Sequence, residues 1–222
     1  MECLPQHTGG GGMRRRALLQ AFALAPLLAA SAELLAMPAQ RVLRLGAPKA
    51  TPRRVFAAGP PAAVLIAAVA PDRLLGWPMK VSPDALAQLP ASLRTLPVVG
   101  RLAGRGSTVS LERLLSMQPD LVLDAGDFDA NYRDGAERVW KQTAIPFELI
   151  AGRLPDHPAQ LRYVGRLLGV PARGEALAKA AEAQLALVRE VLAARPPASR
   201  PTVYYGRGSD GLESGLSGSI NT

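Results

Sequence analysis

Residues 111–126, with the sequence LERLLSMQPDLVLDAG, constrain the fold more than any other part of the chain. Leucines recur at helical spacing from Leu111, Ser110 occupies an N-cap position, and Pro119 disfavours helical geometry in the residue before it. The wholly apolar run 121–123 follows at once and is bounded by an Asp-Ala-Gly turn. Such a run is typical of a strand that helices cover on both faces. The segment therefore predicts one helix-to-strand unit of an α/β fold.

The same segment resembles the signature N-L-E-x-(I/L)-L-x-L-x-P-D-L-(V/I) of the substrate-binding proteins that serve iron-chelate and cobalamin ABC importers. Ser110 replaces the usual Asn, and Met117-Gln118 replaces the usual hydrophobe and Lys. The resemblance implies two α/β lobes joined by one rigid helix, with a ligand held between the lobes. The residues that carry the match are Leu111, Glu112, Leu114, Leu115, Pro119, Asp120, Leu121 and Val122.

Glu112 has two interpretations. An exposed carboxylate in the first turn of a helix complements the helix dipole and stabilises the helix by roughly 0.3–1 kcal/mol. In the resembled family, however, the Glu at this position docks onto arginines of the membrane permease. The resemblance therefore implies that Glu112 contacts a partner protein.

The amino terminus has the pattern of a secretory leader. Three arginines at 14–16 precede an apolar stretch, 17–32, that is shorter than the roughly 20 residues needed to cross a bilayer. Ala30-Ser31-Ala32 is a small-x-small site, which predicts cleavage before Glu33 and a periplasmic mature protein. A retained anchor is the alternative, and both the general and the twin-arginine export routes stay open. Residues 1–12 fit neither leader nor domain, which indicates that translation starts at Met13.

Charge and cysteine content exclude several classes of protein. Cys3 is the only cysteine and precedes the cleavage site, so the mature chain has no thiol for a disulfide, a metal, a nucleophile or a lipid anchor. Loss of three arginines and one glutamate with the leader lowers the formal charge from +8 to +6. The arginines are scattered along the chain, which disfavours nucleic acid. An anionic ligand, or no electrostatic role at all, is the better interpretation.

The order of patterns predicts a Rossmann-like lobe with a parallel sheet. Predicted strands cover 42–45 (an edge strand), 55–58, the stretch up to Trp77, 98–99, 121–123, 146–150 and 202–205. Predicted helices cover 62–70, 84–89, a stretch from 111, 132–143, 158–168 and 172–194. The corresponding parts of the chain are a leader (1–32), a leading segment (33–54), an α/β lobe (55–156), helices (157–195) and the start of a second lobe (196–222).

The helix predicted at 172–194 would be roughly 35 Å long at about 1.5 Å per residue. A surface helix or a dimerising coil has the same apolar stripe. The resemblance instead implies the rigid helix that joins the two lobes. A second lobe needs about a hundred further residues, so we expect that this sequence is truncated and that its tail is poorly packed.

In open α/β sheets, ligands gather at the carboxyl ends of the strands. Most residues selected by this rule have an alternative role. It is packing for Trp77 and Tyr132, solvation for the loop arginines, and helix capping for the aspartates. The resemblance adds Tyr205 and Arg207, from the first cleft loop of the second lobe. The predicted ligand-contact residues are Trp77, Arg101, Arg105, Asp127, Phe128, Tyr132, Tyr205 and Arg207.

Several motifs disfavour a metal site or an enzyme. His157 is the only histidine of the mature chain, whereas a zinc or manganese site needs several ligands. Haem-carrying relatives tend to have Tyr after the Gly that corresponds to Gly100, where this chain has Arg101. The sequence contains no G-x-S-x-G motif, and the G-x-G-x-x-G match at 206–211 precedes a Ser/Gly-rich stretch that cannot supply the required helix.

We therefore expect a monomeric periplasmic binding protein without a cofactor and without catalytic activity. The resemblance implies an iron chelate or a cobalamin-like molecule as ligand and an ABC permease in the inner membrane as partner. A secreted α/β hydrolase and a non-functional fragment are the alternatives.

Overall fold

The computed structural model describes residues 41–103, 106–206 and 210–211, which belong to one compact unit. The predicted leader, Arg105 and Arg207 lie outside the described residues. Among the described helices, none combines the length and the apolar character needed to span a bilayer.

The described strands form one four-stranded sheet in the order β1-β4-β3-β2. Strands β2, β3 and β4 are parallel, and β1 pairs antiparallel with β4 at one edge. The predicted parallel sheet and the predicted edge strand are both confirmed. The strands are β1 (Val42–Leu45), β2 (Val55–Ala57), β3 (Leu121–Gly126) and β4 (Phe147–Ala151).

Seven α-helices lie in the described part of the chain. They are α1 (Pro60–Val69), α2 (Pro83–Ala87), α3 (Ala91–Arg94), α4 (Leu111–Ser116), α5 (Ala130–Thr143), α6 (His157–Leu167) and α7 (Pro171–Ala193). Short 3₁₀ turns occupy Pro71–Arg73, Leu154–Asp156 and Pro197–Ser199.

Helices cover both faces of the sheet because successive strand residues point to opposite sides. Val55 and Leu121 pack with α1, α6 and α7 in one apolar cluster. Phe56 and Val122 point the other way and pack against residues of α4 and α5. All six residues of β3 are buried, as predicted for a strand that helices cover on both faces.

Asp120 of the signature sequence has a structural role at the start of β3. Its carboxylate accepts hydrogen bonds from the backbone N–H groups of Arg53 (2.8 Å) and Arg54 (3.0 Å). The Arg54 guanidinium donates in turn to the backbone carbonyls of Met117 (2.6 Å) and Gln118 (3.1 Å). These bonds join the start of β2 to the start of β3. Asp120 of the signature sequence therefore stabilises the fold.

The strands predicted up to Trp77 and at 98–99 are wrong. Pro71 begins a 3₁₀ turn, and the chain after it forms one isolated bridge, between Val55 and Leu74. Trp77 makes a second isolated bridge with Val98. Prolines at 71, 78 and 97 interrupt these segments and cannot donate backbone hydrogen bonds to a ladder.

The strand predicted at 202–205 also does not form, since these residues have no regular secondary structure. Val203, Tyr204 and Tyr205 are 78%, 69% and 57% exposed. A β-branched and aromatic run has a strong β propensity, but it becomes a strand only where a partner strand accepts its hydrogen bonds.

Helix α7 has the predicted length of 23 residues and is fixed to α6 near its amino end. The two helices approach through glycines, since a Cβ on Gly174 would lie 2.7 Å from the Leu161 carbonyl oxygen and 2.9 Å from Gly165 Cα. Arg162 of α6 adds ion pairs to Glu175 (Nε to Oε2, 2.7 Å) and to Glu182 of α7. From residue 186 onward the side chains of α7 are exposed.

Gly174→Ala is predicted to lower the free energy of unfolding by about 1–3 kcal/mol, because the methyl group must push two backbones apart. Gly135→Ala in α5 is the matched control, since a Cβ there would meet nothing within 4 Å. The control variant should gain about 0.5–1 kcal/mol, the usual difference between Gly and Ala inside a helix. Urea unfolding measures both values, and a neutral or stabilising Gly174→Ala would contradict the close contact between α6 and α7.

Candidate ligand-binding face

The parallel strands β2, β3 and β4 end at the same edge of the sheet, where ligands gather in open α/β folds. The Gly152 N–H donates to the Gly126 carbonyl (2.7 Å), so the ends of β3 and β4 are joined. A Cβ on Gly152 would lie 2.6 Å from Gly126 Cα, and only glycine fits this contact. We call this edge the carboxyl face and define it as residues 58–59, 100–103, 106–108, 126–132 and 152.

The loop after Gly100 is attached to the end of β2. The backbone N–H groups of Leu102 and Ala103 both donate to the Ala58 carbonyl, at 2.8 and 3.0 Å. One carbonyl at the end of a parallel strand thus fixes two consecutive loop residues over the sheet edge. The loop is part of the carboxyl face because of these two bonds.

Arg101 is held inside this loop. Its N–H donates to Thr108 Oγ1 (3.0 Å), and its carbonyl accepts from the Thr108 N–H (2.8 Å). Its guanidinium Nε donates to the Gly106 carbonyl (3.3 Å), which takes one of the guanidinium donors. The structure therefore places Arg101 at the carboxyl face, where one of its donors stabilises its own loop.

Three of the predicted residues lie together where β3 continues into α5. Asp127 and Phe128 are half-buried, and the Arg41 guanidinium lies 5.7 Å from the centroid of the Phe128 ring. Asp129 caps α5, since its Oδ1 accepts from the Tyr132 N–H (3.1 Å), as the capping interpretation predicted. Burial, followed by the carboxylates of Asp127 and Asp124, raises the pKa of the Tyr132 hydroxyl.

A cavity of about 300 Å³ opens between the loop after Gly100 and α5. Its walls combine apolar side chains with a few polar groups, and Asp124 from β3 is the buried carboxylate among them. The described lining residues are Leu102, Ala103, Gly106, Ser107, Asp124, Asn131, Tyr132, Gly135, Ala136, Arg138, Val139 and Phe147.

Asp124 is a buried acid with local hydrogen bonding. It is 5% exposed, and its Oδ1 accepts from the neighbouring Ala125 N–H (2.9 Å). Burial raises the pKa of Asp124 to about 6, the Ala125 hydrogen bond acts in the opposite direction, and the charge of Asp127 raises the pKa further. Asp124 is therefore a group that changes charge close to neutral pH.

Sequence reasoning missed Asp124 because the Asp-Ala-Gly triplet was interpreted as a turn that ends the strand. The structure continues β3 through Gly126, so the aspartate lies inside a buried strand and not in a loop. The available signal was its position two residues after Val122, because alternate strand residues share one face of the sheet.

The remaining predicted residues are not part of this cluster. Trp77 is 7% exposed and its indole N–H donates to the Leu93 carbonyl (3.0 Å), which favours the packing interpretation. Tyr205 is 57% exposed in a segment without regular structure. Arg105 and Arg207 lie outside the described residues.

Glu112 lies in the first turn of α4, exposed to solvent. Hydrogen bonds from its own backbone N–H and then from the Ser110 side chain lower the pKa of its carboxyl. Ser110 Oγ accepts from the Arg113 N–H (3.2 Å), which confirms the predicted N-cap. Glu112 thus takes part in hydrogen bonds at the start of α4, and its carboxylate is still exposed to solvent.

A second polar cluster lies near the amino end of β4. The Tyr163 hydroxyl donates to Glu148 Oε2 (2.6 Å) and accepts from Arg44 Nε (2.9 Å). Burial and then the Glu148 hydrogen bond raise the pKa of Tyr163 to about 12. Each charged member of this cluster has an oppositely charged or hydrogen-bonding neighbour, which is typical of a structural network.

Within the described part of the chain, no group of three or more His, Cys, Asp or Glu side chains is placed to hold a metal ion.

No protein-family model and no curated protein matches the chain. Among solved structures it is similar to an ABC transporter solute binding protein from Sulfurospirillum deleyianum DSM 6946, with 23% identity and a TM-score of 0.61 over 71% of this chain and 49% of that one. An ABC transporter substrate-binding protein from Listeria monocytogenes EGD-e gives 13% identity and a TM-score of 0.52, over 65% and 51% of the two chains. The periplasmic heme-binding protein RhuT from Roseiflexus sp. RS-1 gives 24% identity, 65% and 52% coverage, and a TM-score of 0.45, too low to compare site residues.

At these identities the likeness shows the fold. The predicted fold class, an α/β lobe followed by a long helix, is confirmed, and the resemblance found in the signature sequence is confirmed at the level of fold. The chain spans about half the length of the solved proteins that it matches.

Asp124→Asn is predicted to stabilise the protein at pH 7.5 by up to about 3 kcal/mol. The pKa of Asp124 is raised from an ordinary 3.8 to about 6 in the folded state, so the folded state binds more protons than the unfolded state between these values. The contribution of Asp124 to the free energy of unfolding therefore falls as pH rises from 4 to 6. The Asp124→Asn variant has an uncharged amide at this position and does not show this loss. Thermal unfolding of both proteins from pH 4 to 7.5 measures the difference, which should vanish near pH 4; a constant difference would contradict the raised pKa.

Proposed function

We propose that this chain is the amino-terminal lobe and linking helix of a periplasmic solute-binding protein of an ABC importer. The observation that carries the proposal is the combination of an α/β lobe with the 23-residue helix α7. The fold similarity to the solute binding protein, at a TM-score of 0.61, supports it. The predicted division of the chain into lobe, helices and second lobe belongs to the same proposal. So do the cleaved leader and the periplasmic location.

The ligand of this protein is an iron chelate or a cobalamin-like molecule, which is bound at the carboxyl face and not chemically altered. Phe128 and Tyr132 are the aromatic side chains of that face, and half-buried rings of this kind pack well against flat organic ligands. Arg101 offers guanidinium donors to an anionic group on the ligand, because its Nε alone bonds to a described residue of the loop, Gly106. Tyr205 and Arg207 follow α7 and would contact the ligand from the second side.

Glu112 contacts the membrane permease in this proposal. Its carboxylate is ionised, exposed and held at the start of α4 by local hydrogen bonds, so an arginine of a partner can pair with it without first displacing another cation. Ligand uptake that is unchanged by Glu112→Arg would contradict this role.

A hydrolase is the rival function, and His157 is its one candidate base. In the structure His157 Nδ1 lies 3.0 Å from Gln160 Oε1, and the Gln160 amide donates to the carbonyls of Ala151 (2.8 Å) and Arg153 (3.2 Å). These contacts fix the chain between β4 and α6. They favour a structural role for His157, so we rank binding ahead of catalysis.

Calorimetric titration of the mature chain with ferrichrome, ferric enterobactin, cyanocobalamin and haemin tests the proposal. We expect saturable binding of one of these ligands without turnover, because Arg101, Phe128 and Tyr132 all belong to the carboxyl face. Phe128→Ala should weaken that binding at least about tenfold, the effect of losing roughly 1.4 kcal/mol of aromatic contact. Val191→Ala, an exposed apolar residue of α7 outside the carboxyl face, is the control and should bind like the unmodified chain.

Two results would contradict the proposal. One is no binding of any of the four ligands by a chain that circular dichroism shows to be folded. The other is binding that both variants weaken equally, because the ligand would then depend on overall stability and not on the carboxyl face.

A further inference from the structure

We infer that the cavity beside Asp124 is a binding pocket for a small organic cation, an ammonium or guanidinium group. The identity of this cation rests on the proposed function, because it would be a substituent of the transported ligand or a small molecule bound with it. The lining residues named above belong to the described part of the lobe.

One oxygen of the Asp124 carboxylate has no hydrogen-bond donor among the described residues. Oδ1 accepts from the Ala125 N–H (2.9 Å), whereas no described residue donates a hydrogen bond to Oδ2. The residue is 5% exposed, so water can compensate its charge only through the cavity that it lines. A buried carboxylate in this state is costly, and a cation that enters the cavity would reduce that cost.

The groups around Asp124 favour positive charge at this position. Asp127 follows on the loop after β3 and adds negative charge near Asp124. Tyr132 also lines the cavity. Arg138 of α5 is the described cation of the lining, yet it forms no ion pair with Asp124 among the described residues. A ligand cation would therefore not have to displace an existing salt bridge.

The size of the cavity limits what can enter. About 300 Å³ is the space of roughly ten water molecules at ~30 Å³ each, too small for a corrin ring or a whole siderophore. A guanidinium group with a short alkyl chain fits this space. Ala136, Val139 and Phe147 give it apolar walls, and Gly135 leaves room because a Cβ there would meet nothing within 4 Å.

Binding at this pocket should depend on pH. Asp124 loses its charge when pH falls below about 6, and the cation then loses its counter-charge. The other titratable side chains that line the pocket are Tyr132 and Arg138. Asp127 lies close enough for its charge to raise the pKa of Asp124. Affinity at pH 5 should accordingly be about tenfold lower than at pH 7.5.

The experiment is a titration of the mature chain with methylguanidinium chloride, followed by amide chemical shifts at constant ionic strength with sodium chloride as the reference salt. We expect a saturable shift of amides in 102–103, 124–125 and 131–139, and about tenfold weaker binding at pH 5. Asp124→Asn should weaken binding at least about tenfold, since the amide keeps an acceptor for Ala125 but lacks the charge. Asp84→Asn, which neutralises an exposed carboxylate in the first turn of α2, is the control and should bind normally.

Gly135→Leu is a second variant that fills the cavity and does not alter Asp124. It should abolish the shifts with the charge of Asp124 unchanged. Shifts that do not saturate, or that survive both variants, would overturn the inference. The probe is not a chelate, so the two proposals can fail separately. Binding of methylguanidinium without binding of any chelate would support the pocket and contradict the proposed function. Binding of a chelate without binding of methylguanidinium would contradict the pocket alone.

Discussion

The parallel alignment of β3 between β2 and β4 is the constraint on which the rest of the structure depends. The buried strand β3 pairs in parallel with β2 through residues 121–123 and with β4 through residues 122–126. Both neighbouring strands therefore end at the same edge of the sheet. Asp120 fixes the start of this arrangement through the backbone of Arg53 and Arg54. The carboxyl face, its loops and the cavity beside Asp124 exist because these strands end together.

The same alignment explains why Asp124 is exceptional. Val122 and Asp124 point to the same face of the sheet, where Val122 packs in an apolar cluster and Asp124 reaches the cavity. Asp124 lies two residues after Val122 on the same face of β3, so an ionisable side chain lies at the edge of the apolar core. Such a residue destabilises the folded state above pH 6, and a buried group with a perturbed pKa inside a cleft is the usual mark of a binding site.

Helix α7 connects the lobe to the residues that follow it. Its first three turns are fixed by the glycine contact with α6 and by the ion pairs of Arg162. Its last turns carry exposed apolar side chains, among them Leu187, Val191 and Leu192. A helix that is rigidly attached at one end and apolar at the other suits the linking role of the proposed function, because a second lobe could pack against that end.

The sequence predicted those elements whose signals are local. The caps at Ser110 and Asp129, the apolar run of β3 and the long helix α7 were all predicted correctly because each depends on residues a few positions apart. The strands predicted up to Trp77, at 98–99 and at 202–205 were wrong, since a strand needs a partner that local propensity does not reveal. Asp124 was missed for the related reason that β3 continues past Leu123 by pairing with β4, where Asp124 lies opposite Leu149. The structure places Asp127, Phe128 and Tyr132 together, and their roles in ligand contact stay predictions.

Amide hydrogen exchange of the mature chain, with and without the chelate that calorimetry identifies, tests most directly whether the carboxyl face is the functional surface. The account predicts slower exchange in the loop after Gly100 and in residues 126–132, because a ligand on that face would cover both segments. Slower exchange confined to residues 44–48 and 163–167, around the Arg44 and Tyr163 cluster, would contradict it and place the ligand elsewhere on the lobe.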